Sequence, residues 1–248
     1  MTDIPTAPPP SLMATLDRLL RGDFLSPEKL AAGELPLPLS RFLKLALALG
    51  AIYGLCLGTF ALFGGHDAAG LQMLSATVKV PLLFALTLVV TFPSLYVFSA
   101  LQRLPLDIGN TLRLMLLTIV VHLAVIASLG PVFSFFAAST DSYAFMKLLN
   151  VAFFATGGVL GFMVLRQSTR AMFESSWANQ PDVAPADRAR AGQVLRVWCV
   201  VYAVVGAQMG WLLRPFLGSP DLAFAWFRER DGNIFSGLVE TFRQLIEG

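Results

Sequence analysis

"FLKLALALGAIYGLCLGTFALF", Phe42 to Phe63, is the stretch on which the fold turns. Its one charge, Lys44, lies in the first turn, and the rest is apolar or weakly polar. At 1.5 Å per residue a helix of this length reaches ~33 Å, enough to cross a hydrocarbon core of ~30 Å. Gly50, Gly54 and Gly58 recur at every fourth position and therefore share one face. Such small-residue stripes let two helix backbones approach closely and gain dispersion contacts.

Working outward, four more runs have comparable apolar length: Val80–Leu101, Leu112–Phe136, Phe145–Leu165 and Val194–Leu213. Within these limits charges occur only at end turns, at Lys44, Arg113, Lys147 and Arg196, where a long side chain can reach the headgroups. A barrel would need alternating strands of about ten residues, and the sequence has none. The expected fold is all-α: a polytopic membrane protein with five transmembrane helices and short interfacial helices at both ends. It divides into a cytoplasmic N-terminal segment (1–41), a five-helix transmembrane domain (42–213) and an extracytoplasmic aromatic tail (214–248). Composition agrees, with 56% hydrophobic and 14% charged residues. Pro93 and Pro131 fall within the second and third spans and are expected to kink them.

A net charge of +2 is too small to suggest nucleic acid as a partner. The distribution of the positive charges is more informative. With the N-terminus inside, the cytoplasmic segments hold Arg18, Arg21, Lys29, Arg41, Lys44, Arg103, Arg113, Arg166, Arg170, Arg188, Arg190 and Arg196, twelve in all. The outer loops hold only Lys79 and Lys147. The positive-inside rule then places the N-terminus inside and the C-terminus outside. No segment reads as a cleavable signal peptide, so the first span is expected to act as its own uncleaved signal. Arginine exceeds lysine, and Ala, Leu and Gly abound, which suggests a GC-rich bacterium and its inner membrane.

On the inner side, Ser11 is placed to cap a helix with Leu12, Leu16, Leu19 and Leu20 on one face. Ser26-Pro27-Glu28 starts a second short turn. Residues 167–193, with Pro181 and Pro185, read as a solvated linker drawn to anionic lipid. A docking loop around Met172, Phe173 and Trp177 is the alternative.

The tail keeps its aromatics. Trp211, Phe216, Phe224, Trp226 and Phe227 begin at the membrane interface, where amphipathic rings are favoured. Pro215 and the Gly218-Ser219-Pro220 turn stop the fifth helix. From Asn233 to Ile246, the positions Ile234, Leu238, Phe242 and Leu245 recur at helical spacing and predict an amphipathic helix. The tail either lies flat on the outer interface or caps its own bundle, or else offers a partner surface of Arg214, Phe216, Phe224, Trp226, Phe227 and Arg228.

Inside the spans there is no Asp or Glu, whereas proton- and cation-coupled carriers normally place carboxylates on their route. Tyr53, His122 and Gln208 fall at similar depths, roughly 15–20 Å from the inner surface by helical rise. They form a candidate polar layer, either as interhelical glue or as a gate or substrate site. Cys56 and Cys199 differ in depth by about 15 Å, too far for a disulfide. Nor do two cysteines and two histidines so dispersed make a zinc site, and no motif for a cofactor or for catalysis is present. Gly157 with Gly161, and Gly206 with Gly210, repeat the packing stripe on the fourth and fifth spans. They suit packing within one chain, with a homo-oligomer seam as the alternative.

Five spans, a cytoplasmic N-terminus with short helices and little intramembrane charge resemble the Rab/Ypt-interacting five-span membrane protein family and its bacterial relatives. The resemblance covers Ser26 to Leu213 in layout. Separately, "WLLRPFLGSPDLAFAWFRERDGNIF", Trp211 to Phe235, resembles a tail of uncharacterised bacterial multi-pass membrane proteins. It implies a shared element and names no activity. The sequence thus points to a non-enzymatic scaffold or regulatory subunit of a membrane complex. The bilayer and a membrane or extracytoplasmic protein are its expected partners. The alternative is a small transporter or channel component using the layer around His122.

Overall fold

The computed structural model describes residues 11–23, 39–65, 68–101, 108–178, 185–218, 223–227, 232 and 234–247. The turn at Ser26-Pro27-Glu28, the Ser219-Pro220 pair, Pro181, Arg228 and Asn233 lie outside them. The helices are α1 (Leu12–Leu20), α2 (Leu39–Phe63), α3 (Ala69–Leu101), α4 (Ile108–Ser139), α5 (Tyr143–Ala178), α6 (Pro185–Leu212) and α7 (Ile234–Glu247). Among the described residues, four stretches are long and apolar enough to cross a membrane: Leu39–Phe63, Ala69–Val97, Thr111–Ser139 and Tyr143–Arg170. In α6 the apolar stretch, Arg196–Leu212, is shorter. The chain is therefore a helical membrane protein.

Helix α2 packs against α3 and α4, α4 against α5, and α3 against α6. The helices thus form a curved row in the order α6, α3, α2, α4, α5. Its two ends, α5 and α6, touch each other only slightly, and α7 contacts both. Glycine makes the tightest seam possible. A Cβ on Gly54 would lie 2.5 Å from the carbonyl oxygen of Ala76 and 2.6 Å from Thr77 Cα, and one on Gly58 would lie 2.5 Å from Met73 Cα. Gly50 faces Pro81 in the same way, at 3.1 Å. The first stripe is therefore the α2–α3 contact within one chain. Gly161 similarly admits the Thr118 carbonyl of α4, at 3.1 Å. Gly206 and Gly210 do less, because a Cβ there would meet Thr87 and Leu83 at 3.6 and 3.5 Å, ordinary contact distances.

Short helices flank the bundle. Ser11 accepts a hydrogen bond from the Ala14 amide at 3.2 Å and caps α1. Thr15 and Leu19 are the buried residues of α1, which leans on α2, while Leu12 and Leu20 are exposed.

Three sequence expectations need correction. Lys79 is not in a loop: α3 starts at Ala69, so Lys79 lies about 15 Å along it. Nor is 167–193 a linker throughout. Helix α5 continues to Ala178 and α6 begins at Pro185, because no Gly or Pro interrupts 166–178 and proline suits a first helical position. In α7, Phe242 does not share a covered face with Leu238. Phe235, Val239, Phe242 and Ile246 form an exposed stripe, while Thr241 is buried.

Candidate functional site: a tail clamped by Lys79

Helices α3 and α6 run antiparallel, with Gly206 opposite Thr87 and Gly210 opposite Leu83. Continuing that register brings the end of α6 to the level of Lys79. Past Leu212 the backbone is no longer helical, and its peptide groups must find other partners if they are removed from water. Lys79, 1% exposed, supplies them. Its Nζ donates to the Pro215 carbonyl at 3.0 Å and to that of Trp226, and it lies 5.2 Å from the Phe227 ring centroid. About two turns back toward the start of α3, the buried Gln72 donates from Nε2 to the Phe216 carbonyl at 2.9 Å. Leu213 and Leu217 are buried beside these bonds, and a Cβ on Gly218 would touch that of Ala61 on α2 at 2.9 Å.

Two positions far apart in the tail, 215 and 226, thus meet on one ammonium. The clamp buries a cation against two carbonyl dipoles, an arrangement that stabilises the charge and fixes the path of the tail together. Phe224 and Trp226 stack edge to face at 5.8 Å. Trp226 and Phe227 remain 45% and 56% exposed. Of the anticipated partner surface, these two rings face outward, Phe216 packs against the core, and the Arg214 guanidinium lies 3.8 Å over the Trp211 ring.

A second feature adjoins the clamp, at the same end of the bundle. A cavity of about 390 Å³ is lined by Lys147, Trp211, Arg214, Ser236, Gly237, Glu240, Thr241 and Gln244. Lys147 Nζ donates to Thr241 Oγ1 at 2.6 Å, and that hydroxyl donates to the Gly237 carbonyl at 2.7 Å. Gly237 lies flat against Trp211, so any Cβ there would collide with the indole ring. This contact and the Lys147 bond hold α7 across the ends of α5 and α6.

The intramembrane layer is less connected than its composition suggests. Tyr53, fully buried, donates to Asn150 Oδ1 at 2.8 Å. His122 sits edge-on to Phe84 and Phe154, with ring centroids at 4.8 and 5.8 Å. Its Cδ2 would be 2.5 Å from a Cβ on Gly157, so the imidazole fills the space that this glycine leaves. His122 Nε2 is buried without a hydrogen-bond partner. Tyr53 and His122 share Phe154 as a neighbour, but no hydrogen bond joins either to the other or to Gln208.

Sequence reasoning missed Lys79, Gln72, Lys147 and Asn150. Lys79 and Lys147 are lone cations near the ends of apolar runs, where snorkelling is the usual reading, and Gln72 and Asn150 are single neutral amides that belong to no motif. The usable signal was on the other side: a tail with two prolines and two glycines in residues 214–235 needs donors for its carbonyls. Comparison with protein-family models, curated proteins and solved structures finds no match to this chain.

Proposed function

We propose that this chain is a non-enzymatic membrane scaffold or regulatory subunit that presents its tail-bearing end to a membrane or extracytoplasmic protein. One observation carries this reading. A buried lysine fixes the tail to the bundle, yet Trp226, Phe227 and the α7 stripe of Phe235, Val239, Phe242 and Ile246 stay uncovered. Ordering an exposed aromatic surface on a rigid support lowers the entropy lost on binding, and aromatic residues dominate interface hot spots. Photo-crosslinkers placed at Phe227 and Val239 in cells should yield a discrete protein adduct. Adducts with lipid alone at both positions would sink the scaffold reading.

The proposal includes five crossings in a bacterial inner membrane, with the N-terminus inside. The apolar part of α6 spans ~26 Å by helical rise, close to one hydrocarbon thickness, and it packs along α3. The twelve cytoplasmic Lys and Arg residues support this direction. A reporter active only outside the cytoplasm should be bright when fused after Gly248 and dark when fused at Pro185. The opposite pattern reverses the whole arrangement.

The transporter alternative draws on His122, whose Nε2 has no partner. Where the ring serves only as packing, an apolar side chain should do as well, because replacing an unsatisfied buried polar group is neutral or stabilising. His122→Leu should therefore keep or raise the thermal midpoint in detergent. A clear fall in midpoint, together with loss of any measured flux, would favour a species bound at the imidazole.

A further inference from the structure

We infer that the outward stripe of α7 is a self-association face, and that its occupant is α7 of a second copy of this chain. Phe235, Val239, Phe242 and Ile246 are between 54% and 82% exposed. Their 4-3-4 spacing is that of alternating d and a positions in a heptad. At 3.6 residues per turn they fall within about 60° of one another around the helix. That is the narrow seam of a helix pair, whereas a helix sunk into a core or a bilayer presents an apolar face of ~100° or more. The other sides of α7 have their own neighbours. Gly237 and the buried Thr241 turn toward Trp211 and Lys147, and Ser236, Glu240 and Gln244 line the adjoining cavity. Charge argues against lipid as the occupant. Helix α7 carries one arginine, Arg243, against Glu240 and Glu247, while helices held at an anionic interface are rich in Lys and Arg.

Membrane topology sets how two such helices meet. Helix α7 lies across the ends of α5 and α6, against Trp211 of one and Lys147 of the other, so its axis follows the membrane face. Two copies in one bilayer share one orientation, and a closed pair is related by a two-fold axis along the membrane normal. That axis makes in-plane helices antiparallel. The stripe suits the operation, because its spacing reads the same in reverse. Centred between Glu240 and Thr241, the pairing sets Phe235 opposite Ile246 of the second copy, and Val239 opposite Phe242 of the second copy. Every layer then places an aromatic ring against a β-branched side chain, and large facing small lets the layers interdigitate. At ~150–250 Å² for side chains of this size, the four offer roughly 500 Å² per copy. Specific interfaces begin near ~600 Å² per partner, and the flanking Leu238 and Arg243 extend the face toward that size. The bilayer already fixes the height and tilt of both copies, which removes part of the entropy cost of association.

The second copy occupies part of the surface on which the scaffold proposal rests, and the test separates the two readings. Full-length chains carrying Val239→Cys and differently tagged chains carrying Phe242→Cys are oxidised together in native membranes, with the native chain as the blank for Cys56 and Cys199. The two tags should join in one disulfide-linked band, because these positions face each other in the antiparallel pair. Val239→Cys with Gln244→Cys, a position that lines the cavity, should give none. In mild detergent, Val239→Glu should reduce the particle from twice the mass of one chain to one, with the thermal midpoint unchanged, since a carboxylate in the seam has no partner. Absence of the mixed band in membranes would overturn the pairing, as would a band no stronger than the Gln244→Cys control. A photo-crosslinker at Val239 then identifies the occupant. An adduct of twice the chain mass supports the second copy. An adduct with a different protein overturns the second copy and keeps the scaffold reading, whereas lipid adducts alone, at Phe227 as well, overturn both.

Discussion

Lys79→Met should release the tail from the bundle. In detergent, trypsin should cut after Arg228 or Arg230 at least about tenfold faster than in the native chain, and the thermal midpoint should fall. The substitution preserves the length and apolar stem of the side chain but removes the donor that joins the Pro215 and Trp226 carbonyls. Hydrogen bonds to a charged group contribute ~1.5–3 kcal/mol each, and the carbonyls left behind keep their desolvation penalty. Loss of about 3 kcal/mol from tail docking corresponds to roughly a hundredfold more open tail. Gln72→Leu provides the scale. It removes a neutral donor from Phe216 and should cost only about 1 kcal/mol. If Lys79→Met were cut no faster than the native chain, the apolar contacts of Leu213 and Leu217 would be holding the tail by themselves. Lys79→Arg should recover only part of the effect, because a planar guanidinium does not fit a site shaped around a compact ammonium.

Much of the helical architecture was legible because bilayer crossing imposes a length rule that composition satisfies visibly. The stretch from Phe42 to Phe63 contains both the span and the Gly50, Gly54, Gly58 stripe, and the same glycines meet Pro81, Ala76, Thr77 and Met73 in the fold. Helix ends were less legible. Hydropathy marks where a helix leaves lipid, not where hydrogen bonding stops, so α3 was read eleven residues short at its start and α5 thirteen short at its end. The tail's tendency to follow a defined path could be inferred from its prolines, glycines and aromatics. Its anchor could not. Lys79 counted as an outer-loop charge in the topology argument, and nothing local distinguishes a lysine that snorkels from one that turns inward to a distant carbonyl. That information resides in the α3–α6 register, a long-range property. The connections of the polar layer were less legible for a related reason: equal depth brings Tyr53 and His122 near one ring, Phe154, but depth does not specify which way a side chain points around its helix.

Gly54→Val should be among the most damaging substitutions in the bundle, and its companion Gly206→Ala among the mildest. The new branched side chain at 54 would meet the Ala76 carbonyl oxygen and Thr77 Cα, both backbone atoms of α3, which cannot rotate aside. Either the two helices separate along the seam or α3 shifts, and overpacking of this kind costs ~1–3 kcal/mol and occasionally more. About 3 kcal/mol is expected here, since the neighbouring contacts at Gly50 and Gly58 resist the same displacement. At Gly206 an added methyl group would reach the Thr87 side chain at 3.6 Å, an ordinary contact. There the gain in helix propensity from Gly to Ala, up to ~1 kcal/mol in soluble hosts, offsets any crowding. Thermal midpoints in one detergent, read alongside molecular mass by light scattering, separate the two roles that a glycine stripe can play. Were the stripe a seam between copies, Gly54→Val would lower the mass of the particle and leave each chain's unfolding unchanged. Because its nearest neighbours belong to α3 of the same chain, the midpoint should drop while the mass stays constant.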